Sequence, residues 1–201
     1  MKTYEAELPQ GYREVFRLNA TTKKTGIAFS VASILLFLFV GALGLLPFVL
    51  RGDSLPDCYG MIGIPAMLVG LAFMLPYMAL HELVHGVAYK ALTHQRLRFG
   101  LSWSCAFCGV PQIYTYQKTA LIAVVAPFVV FSILFIILMS IFYFTSLFFY
   151  FVVLILFSYH VGGCCGDLYV FWLLCSKFKS QRLLMKDTGP EQTFYLPDEE
   201  I

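Results

Sequence analysis

The sequence predicts an all-α membrane protein with four transmembrane helices. Three observations carry this prediction: 59% of the 201 residues are hydrophobic, only 13% are charged, and the charged residues lie almost entirely between long apolar runs. A bilayer core is crossed by about 20 apolar residues in helical form, and four runs reach that length. They extend over about residues 27–50, 60–89, 119–145 and 146–175.

The last two runs form one uninterrupted apolar block. A helix of about 55 residues would not fit a bilayer, so the block must fold back on itself. We expect the turn within residues 143–151, although no glycine or proline marks its position.

The distribution of Lys and Arg predicts the orientation in the membrane. Five precede the first run, one lies between the first two, four lie between the second and third, none between the last two, and four follow the fourth. Basic residues accumulate on the cytoplasmic side, so we expect both termini there, in a cell (inner or plasma) membrane that the chain crosses several times. Residues 1–26 would form a cytoplasmic segment and residues 176–201 a cytoplasmic tail, around a membrane domain at residues 27–175.

The N-terminal segment is not expected to be a cleavable signal. It contains acidic residues and precedes a run that is too long for a signal-peptide core. The net charge of +2 is small and its basic residues are dispersed, so no nucleic-acid partner is expected. The expected surroundings are the lipid bilayer, and the sequence does not indicate an oligomeric state.

The loop between the second and third runs carries a β-type pattern. Leu97, Phe99, Leu101 and Trp103 alternate with other residues, a period of two that predicts a short strand or β-hairpin on the cytoplasmic side. Two interpretations stay open: an interfacial anchor, or an exposed edge to which an extended peptide binds.

Ionisable residues lie at membrane depth in two of the runs. Only Glu82 and Asp167 of the twelve acidic residues do so, together with three of the four histidines, His81, His85 and His160. Each such group costs at least about 2.5 kcal/mol to insert, so it normally has a partner and a function.

His81, Glu82 and His85 form an HExxH motif. Histidines four apart lie on one face of a helix, within reach of a single ion, and the glutamate of this motif serves as a general base beside zinc. The alternatives are two histidines hydrogen-bonded inside a helix bundle, or an inactive descendant of an enzyme.

A catalytic zinc ion usually takes three protein ligands, and depth in the membrane selects the third. At 1.5 Å per residue, His81 and His85 lie about 7 to 14 Å from the cytoplasmic face, Asp167 about 15 Å and His160 about 25 Å. Asp167 is therefore the expected ligand, and His160 a residue that lines a pocket or is structurally bonded. His160 could join the ligands only if the run GGCCG at residues 162–166 breaks the helix. The small residues ending at Gly166 favour close helix packing beside Asp167 and make Gly166 a pocket candidate.

Other motifs favour other chemistry less strongly. Cys105 and Cys108 form a single CxxC, a redox or metal pair in principle. His94 is expected to be solvated. The sequence CCGD at 164–167 is near an intramembrane aspartic-protease motif, but no second aspartate lies in any run. Asp187 begins an Asp-Thr-Gly triplet, which resembles an aspartic-protease motif. The triplet occurs once and has no obvious strand pattern around it, so this chemistry is not expected.

Four segments together resemble a known family. HELVHG at 81–86, APF at 126–128, GD at 166–167 and KDTGPEQTFY at 186–195 resemble the Putative zincin peptidase family of small bacterial membrane proteins, which is similar in plan to the site-2 proteases. The site-2 proteases carry Asn-Pro before an Asp-Gly, whereas Asp167 follows CCG and precedes Leu168.

The resemblance implies roles for individual residues. His81, His85 and Asp167 would hold Zn²⁺, and Glu82 would be the catalytic acid and base. The implied activity is an intramembrane zinc metalloendopeptidase that hydrolyses membrane-protein or peptide substrates near the cytoplasmic face. The alternatives are a catalytically inactive metal-binding membrane protein that binds peptides or partners, and a small transporter.

Overall fold

The fold is given by a computed structural model that describes residues 2–52, 62–101, 106–180 and 182–200. Helices account for 66% of the chain, and the remainder includes a small antiparallel sheet. The chain divides into two compact units. The helical unit comprises Ser30–Met78 and Phe128–Cys165, and the sheet unit comprises Met1–Phe29, Ala79–Pro127 and Gly166–Ile201.

Among the described residues, three helices are long and apolar enough to cross a membrane, and a bent pair of helices would be a fourth span if it crosses as one. This count agrees with a membrane protein and with three or four of the predicted spans. The helices are α1 (Lys23–Arg51), α2 (Gly63–Thr93), α3 (Gln117–Thr145), α4 (Leu147–Gly163) and α5 (Cys165–Trp172), the last continued by a π-helical turn at Leu173–Lys177.

The chain turns between α3 and α4 at Ser146, inside the window that the sequence predicts. Ser146 has an extended backbone, with φ −159° and ψ 107°. Aromatic rings further from the turn on α3 contact rings further from the turn on α4. The ring centroids of Phe142 and Phe149 are 5.3 Å apart, and those of Phe135 and Phe157 are 6.1 Å apart. The two helices are therefore antiparallel, as a block too long for one crossing requires.

Helix α4 is the buried element of the helical unit and packs closely on α1. The Tyr150 hydroxyl donates to the Gly44 carbonyl at 2.6 Å. Near the other end of α4, a Cβ added to Gly162 would lie 2.7 Å from the Ser33 carbonyl oxygen. Small residues let helix backbones approach in this way, so the contact depends on the absence of a side chain at residue 162.

The sheet unit corrects the all-α prediction. Its described strands are β1 (Tyr4–Glu5), β2 (Tyr12–Asn19), β3 (Arg98–Leu101), β4 (Ala106–Gly109), β5 (Tyr114–Tyr116), β6 (Leu184–Asp187) and β7 (Glu191–Pro197). Five of them form an antiparallel sheet in the order β1-β5-β6-β7-β2, so both the N-terminal segment and the tail contain strands. A second sheet consists of β3 and β4 and confirms the predicted hairpin, although Trp103 lies outside the described residues.

One hydrophobic core joins the five-stranded sheet to the helix ends of its unit. Apolar residues of β2, β6 and β7 are buried together with residues of α3 and α5, which fixes the sheet beside the C-terminal part of α5. The members are Leu18, Ala120, Val124, Val170, Leu173, Leu174, Phe178, Leu183, Met185, Phe194 and Leu196.

The packing of α1 on α4 predicts a contrast between two adjacent glycines. Gly162→Ala should destabilise the protein by about 1 to 3 kcal/mol, because the new methyl group overlaps the Ser33 carbonyl. Gly163→Ala is the matched control, since a Cβ there meets nothing within 4 Å. Thermal unfolding of the purified protein in detergent checks this, and equal melting temperatures for the two variants would contradict it.

Candidate metal centre

The HExxH motif lies in the second half of α2, where consecutive helical turns place both histidines on one face. The His81 and His85 ring centroids are 5.0 Å apart, and each residue is 8% exposed. Glu82 is half-buried and lies beside them on the helix. The local geometry is that of an ordinary helix, since residues i and i+4 share a face.

Asp167 meets the two histidines from the first turn of α5. Its Oδ2 atom lies 3.2 Å from His81 Nε2 and 3.4 Å from His85 Nε2, and its side chain is 26% exposed. Both imidazoles therefore converge on one carboxylate oxygen. The structure brings together the three residues that the sequence selects as ligands.

The three side chains fit a zinc ion. One donor atom from each of His81, His85 and Asp167 can be chosen so that all lie within 4.8 Å of one another. Two zinc bonds of about 2.0 to 2.1 Å at a tetrahedral angle place their donor atoms roughly 3.3 Å apart, which is close to the two distances from Asp167. Two imidazoles and a carboxylate are also a usual donor set for catalytic zinc, with the fourth position left for water.

A backbone contact fixes the orientation of His85. Its Nδ1 lies 2.8 Å from the Ala123 carbonyl oxygen on α3. A carbonyl only accepts hydrogen bonds, so Nδ1 carries a proton, and Nε2, on the side of Asp167, is the nitrogen left for a metal ion. Metal-binding histidines are commonly held in this way by their second nitrogen.

A small open cavity of about 70 Å³ adjoins these residues. It has room for several water molecules. Helix residues form one part of its wall, while β4 and the tail form the other. The lining residues are Glu82, His85, Ala106, Phe107, Cys108, Val124, Asp167, Val170, Asp187, Gly189 and Gln192.

Asp187 in this wall was not selected as a site residue from the sequence. The triplet begins at the end of one strand, Leu184–Asp187, and is followed by another, Glu191–Pro197, although the sequence shows no obvious strand pattern there. Asp187 is 4% exposed, and burial raises the pKa of its carboxyl to about 6. It accepts hydrogen bonds from the Tyr89 hydroxyl and the Gly189 N–H.

The two pocket candidates have different surroundings. His160, in the helical unit, is fully buried, and its Nδ1 is hydrogen-bonded to the Tyr77 hydroxyl at 2.5 Å. Its Nε2 lies 3.2 Å from Ser132 Oγ. Gly166, in the sheet unit, is not among the residues that line the cavity, and a Cβ there would meet Phe29 only at 3.9 Å. A pocket role for either residue stays a prediction.

The remaining candidates are placed in part. Burial raises the pKa of the Cys108 thiol to about 12, so it is protonated at neutral pH and is a poor nucleophile. Its CxxC partner Cys105 lies outside the described residues. His94 is exposed, as expected, with a φ of 57°.

Comparison with known proteins completes the description of the site. The curated proteins and the solved structures contain no match to this chain. The family model described as Putative zincin peptidase matches residues 74–182, more than half of the chain. This region includes His81, Glu82, His85 and Asp167. The match confirms the resemblance predicted from the sequence motifs: the chain belongs to the Putative zincin peptidase family.

Proposed function

We propose that this protein is an intramembrane zinc metalloendopeptidase, similar in plan to the site-2 proteases, that cleaves membrane-associated substrates near the cytoplasmic face. The observation that carries the proposal is the convergence of His81 and His85 on Asp167, with Glu82 in the adjoining cavity. Membership of a zincin peptidase family supports a metallopeptidase and implies zinc.

The side chains have complementary tasks in peptide hydrolysis. Zinc, when bound, supplies Lewis acidity that polarises a peptide carbonyl and lets water react near neutral pH. Glu82 accepts the proton of the attacking water and delivers it to the nitrogen of the leaving amine. His85 is oriented by the Ala123 carbonyl, and the Asp167 carboxylate offsets positive charge at membrane depth.

The hydrogen bonding of its own backbone limits the form in which a substrate is cleaved. A transmembrane helix keeps its amides in internal hydrogen bonds, where they are not available for attack. The substrate must therefore unwind locally and enter as an extended segment.

The apolar helices support a location in the membrane, and the positive-inside rule supports cytoplasmic termini in the cell membrane. A green fluorescent protein fused after Ile201 is expected to be fluorescent in bacterial cells, because it folds in the cytoplasm. An alkaline phosphatase fused at the same place should be inactive. Active phosphatase with a dark fluorescent protein would contradict the proposed orientation.

Measuring bound zinc distinguishes the proposed metal ligands from the proposed catalytic base. His81→Ala and Asp167→Ala are each expected to lose at least about tenfold in zinc affinity, because each removes one of three donors. Glu82→Gln should keep one zinc ion per chain and lose cleavage, since it removes the proton acceptor but no ligand. Zinc content by mass spectrometry of the purified protein checks this, and loss of zinc from Glu82→Gln would contradict it.

Cleavage can be tested before any substrate has been identified. Membrane proteomes of cells that carry the wild-type protein or Glu82→Gln should differ in fragments that end near the inner leaflet. Glu14→Gln on β2 is the matched control, because Glu14 lies at the surface and pairs with Arg17. Its proteome should equal that of the wild type. Zinc binding without any Glu82-dependent fragment would instead support the inactive metal-binding protein.

A further inference from the structure

Tyr89 extends the face of α2 that carries the two histidines. It lies one turn after His85 and two turns after His81, so the three side chains follow one another along the helix. Tyr89 is 1% exposed, and its hydroxyl donates to Asp187 Oδ2 at 2.7 Å. The last strands of the chain are thereby tied to the HExxH helix close to the cavity.

Asp187 connects three elements of the sheet unit. Its Oδ1 accepts the Gly189 N–H at 2.9 Å, and its backbone carbonyl accepts the Val110 N–H at 3.0 Å, just after β4. Each carboxylate oxygen of Asp187 therefore accepts a hydrogen bond, Oδ1 from the Gly189 N–H and Oδ2 from the Tyr89 hydroxyl. A hydrogen bond to a buried carboxylate is strong and directional, so it holds the turn at residues 187–189 in one place.

This turn is built to lie close against the hairpin. Gly189 has a φ of +101°, a conformation that favours glycine, and a Cβ there would overlap the ring of Phe107. A Cβ added to Gly109 on β4 would lie 2.6 Å from the Gly189 backbone nitrogen. The turn and β4 therefore form one continuous wall.

The wall faces the catalytic groups. Asp187, Gly189 and Gln192 line the same cavity as Glu82 and His85. The Gln192 side chain donates to the Gly189 carbonyl at 2.8 Å, which adds a further support to the turn. A displacement of about 1 Å at such a surface is enough to misplace a reacting group.

We propose that Tyr89 and Asp187 are positioning residues, which hold the turn at residues 187–189 as the wall against which the peptide part of a substrate packs. The proposal rests on the proposed function. In this proposal the hydrogen bond from Tyr89 on α2 to Asp187 on β6 serves substrate binding. His81, His85 and Asp167 serve metal binding.

Two zinc-binding ligands distinguish a defect in the cavity wall from a defect in metal binding. Acetohydroxamate contacts little besides a zinc ion, whereas a tri-leucine hydroxamate also occupies the surface beside it. With full-length, zinc-loaded Tyr89→Phe in detergent, the dissociation constant of tri-leucine hydroxamate should rise about tenfold. That of acetohydroxamate should be unchanged. Asp187→Asn should give the same selective loss, and the double variant should lose little more than either single variant.

Tyr116→Phe is the matched control. It removes another hydrogen bond between a tyrosine and a carboxylate of the same unit, to Glu5 Oε1 at 2.5 Å, and Tyr116 does not line the cavity. Both ligands should bind this variant as they bind the wild type. Zinc content and melting temperature of each variant are measured in parallel, so a misfolded variant is recognised and Asp187→Asn serves in place of Tyr89→Phe.

The outcomes distinguish this proposal from the proposed function. If neither hydroxamate binds the wild-type protein, an accessible zinc centre is absent, and both proposals are overturned. If both bind but Tyr89→Phe weakens neither, or weakens both equally, the positioning role is wrong and the metallopeptidase proposal stands. Equal affinity of the wild type for the two ligands would likewise overturn the wall as a peptide-binding surface.

Discussion

One carboxylate oxygen organises the site. Asp167 Oδ2 lies within 3.4 Å of both His81 Nε2 and His85 Nε2, although 86 residues separate it from the first histidine. Placing an aspartate largely away from water is unfavourable unless a partner compensates its charge. The two imidazoles, with or without a metal ion between them, are that partner. The contact therefore fixes which face of α2 lies beside the first turn of α5.

The sheet gives the centre a second boundary that helices alone would not provide. Strand β7 pairs with β2 near the start of the chain, and β6 pairs with β5 just before α3. The same sheet shares its core with the end of α5, which carries Asp167 on its first turn. His81, His85, Asp167 and the cavity wall therefore belong to one compact unit. A site of this kind is as well ordered as the packing beneath it.

The parts of the structure that follow from local pattern could be predicted from the sequence. The length of the apolar runs predicts the helices, and the i, i+4 spacing predicts that His81 and His85 share a helix face. Alternation with a period of two predicts the β3–β4 hairpin. The five-stranded sheet could not be predicted in this way. The pairing of its edge strand β2 with β7 joins residues 172 to 185 positions apart, and a register shift between Glu14 and Phe16 breaks the alternation along β2. The surroundings of Asp187 are likewise non-local, since it contacts Tyr89 on α2 and Val110 just after β4.

The order of these contacts along the chain has a consequence for biogenesis. Synthesis from the N-terminus produces the HExxH helix long before Asp167, and the strand pairing between β2 and β7 becomes available only when Glu191–Pro197 has been made. A nascent chain therefore contains its two histidines before Asp167 has been made. The contact among the three side chains is consequently a step that follows, and does not guide, the formation of the HExxH helix.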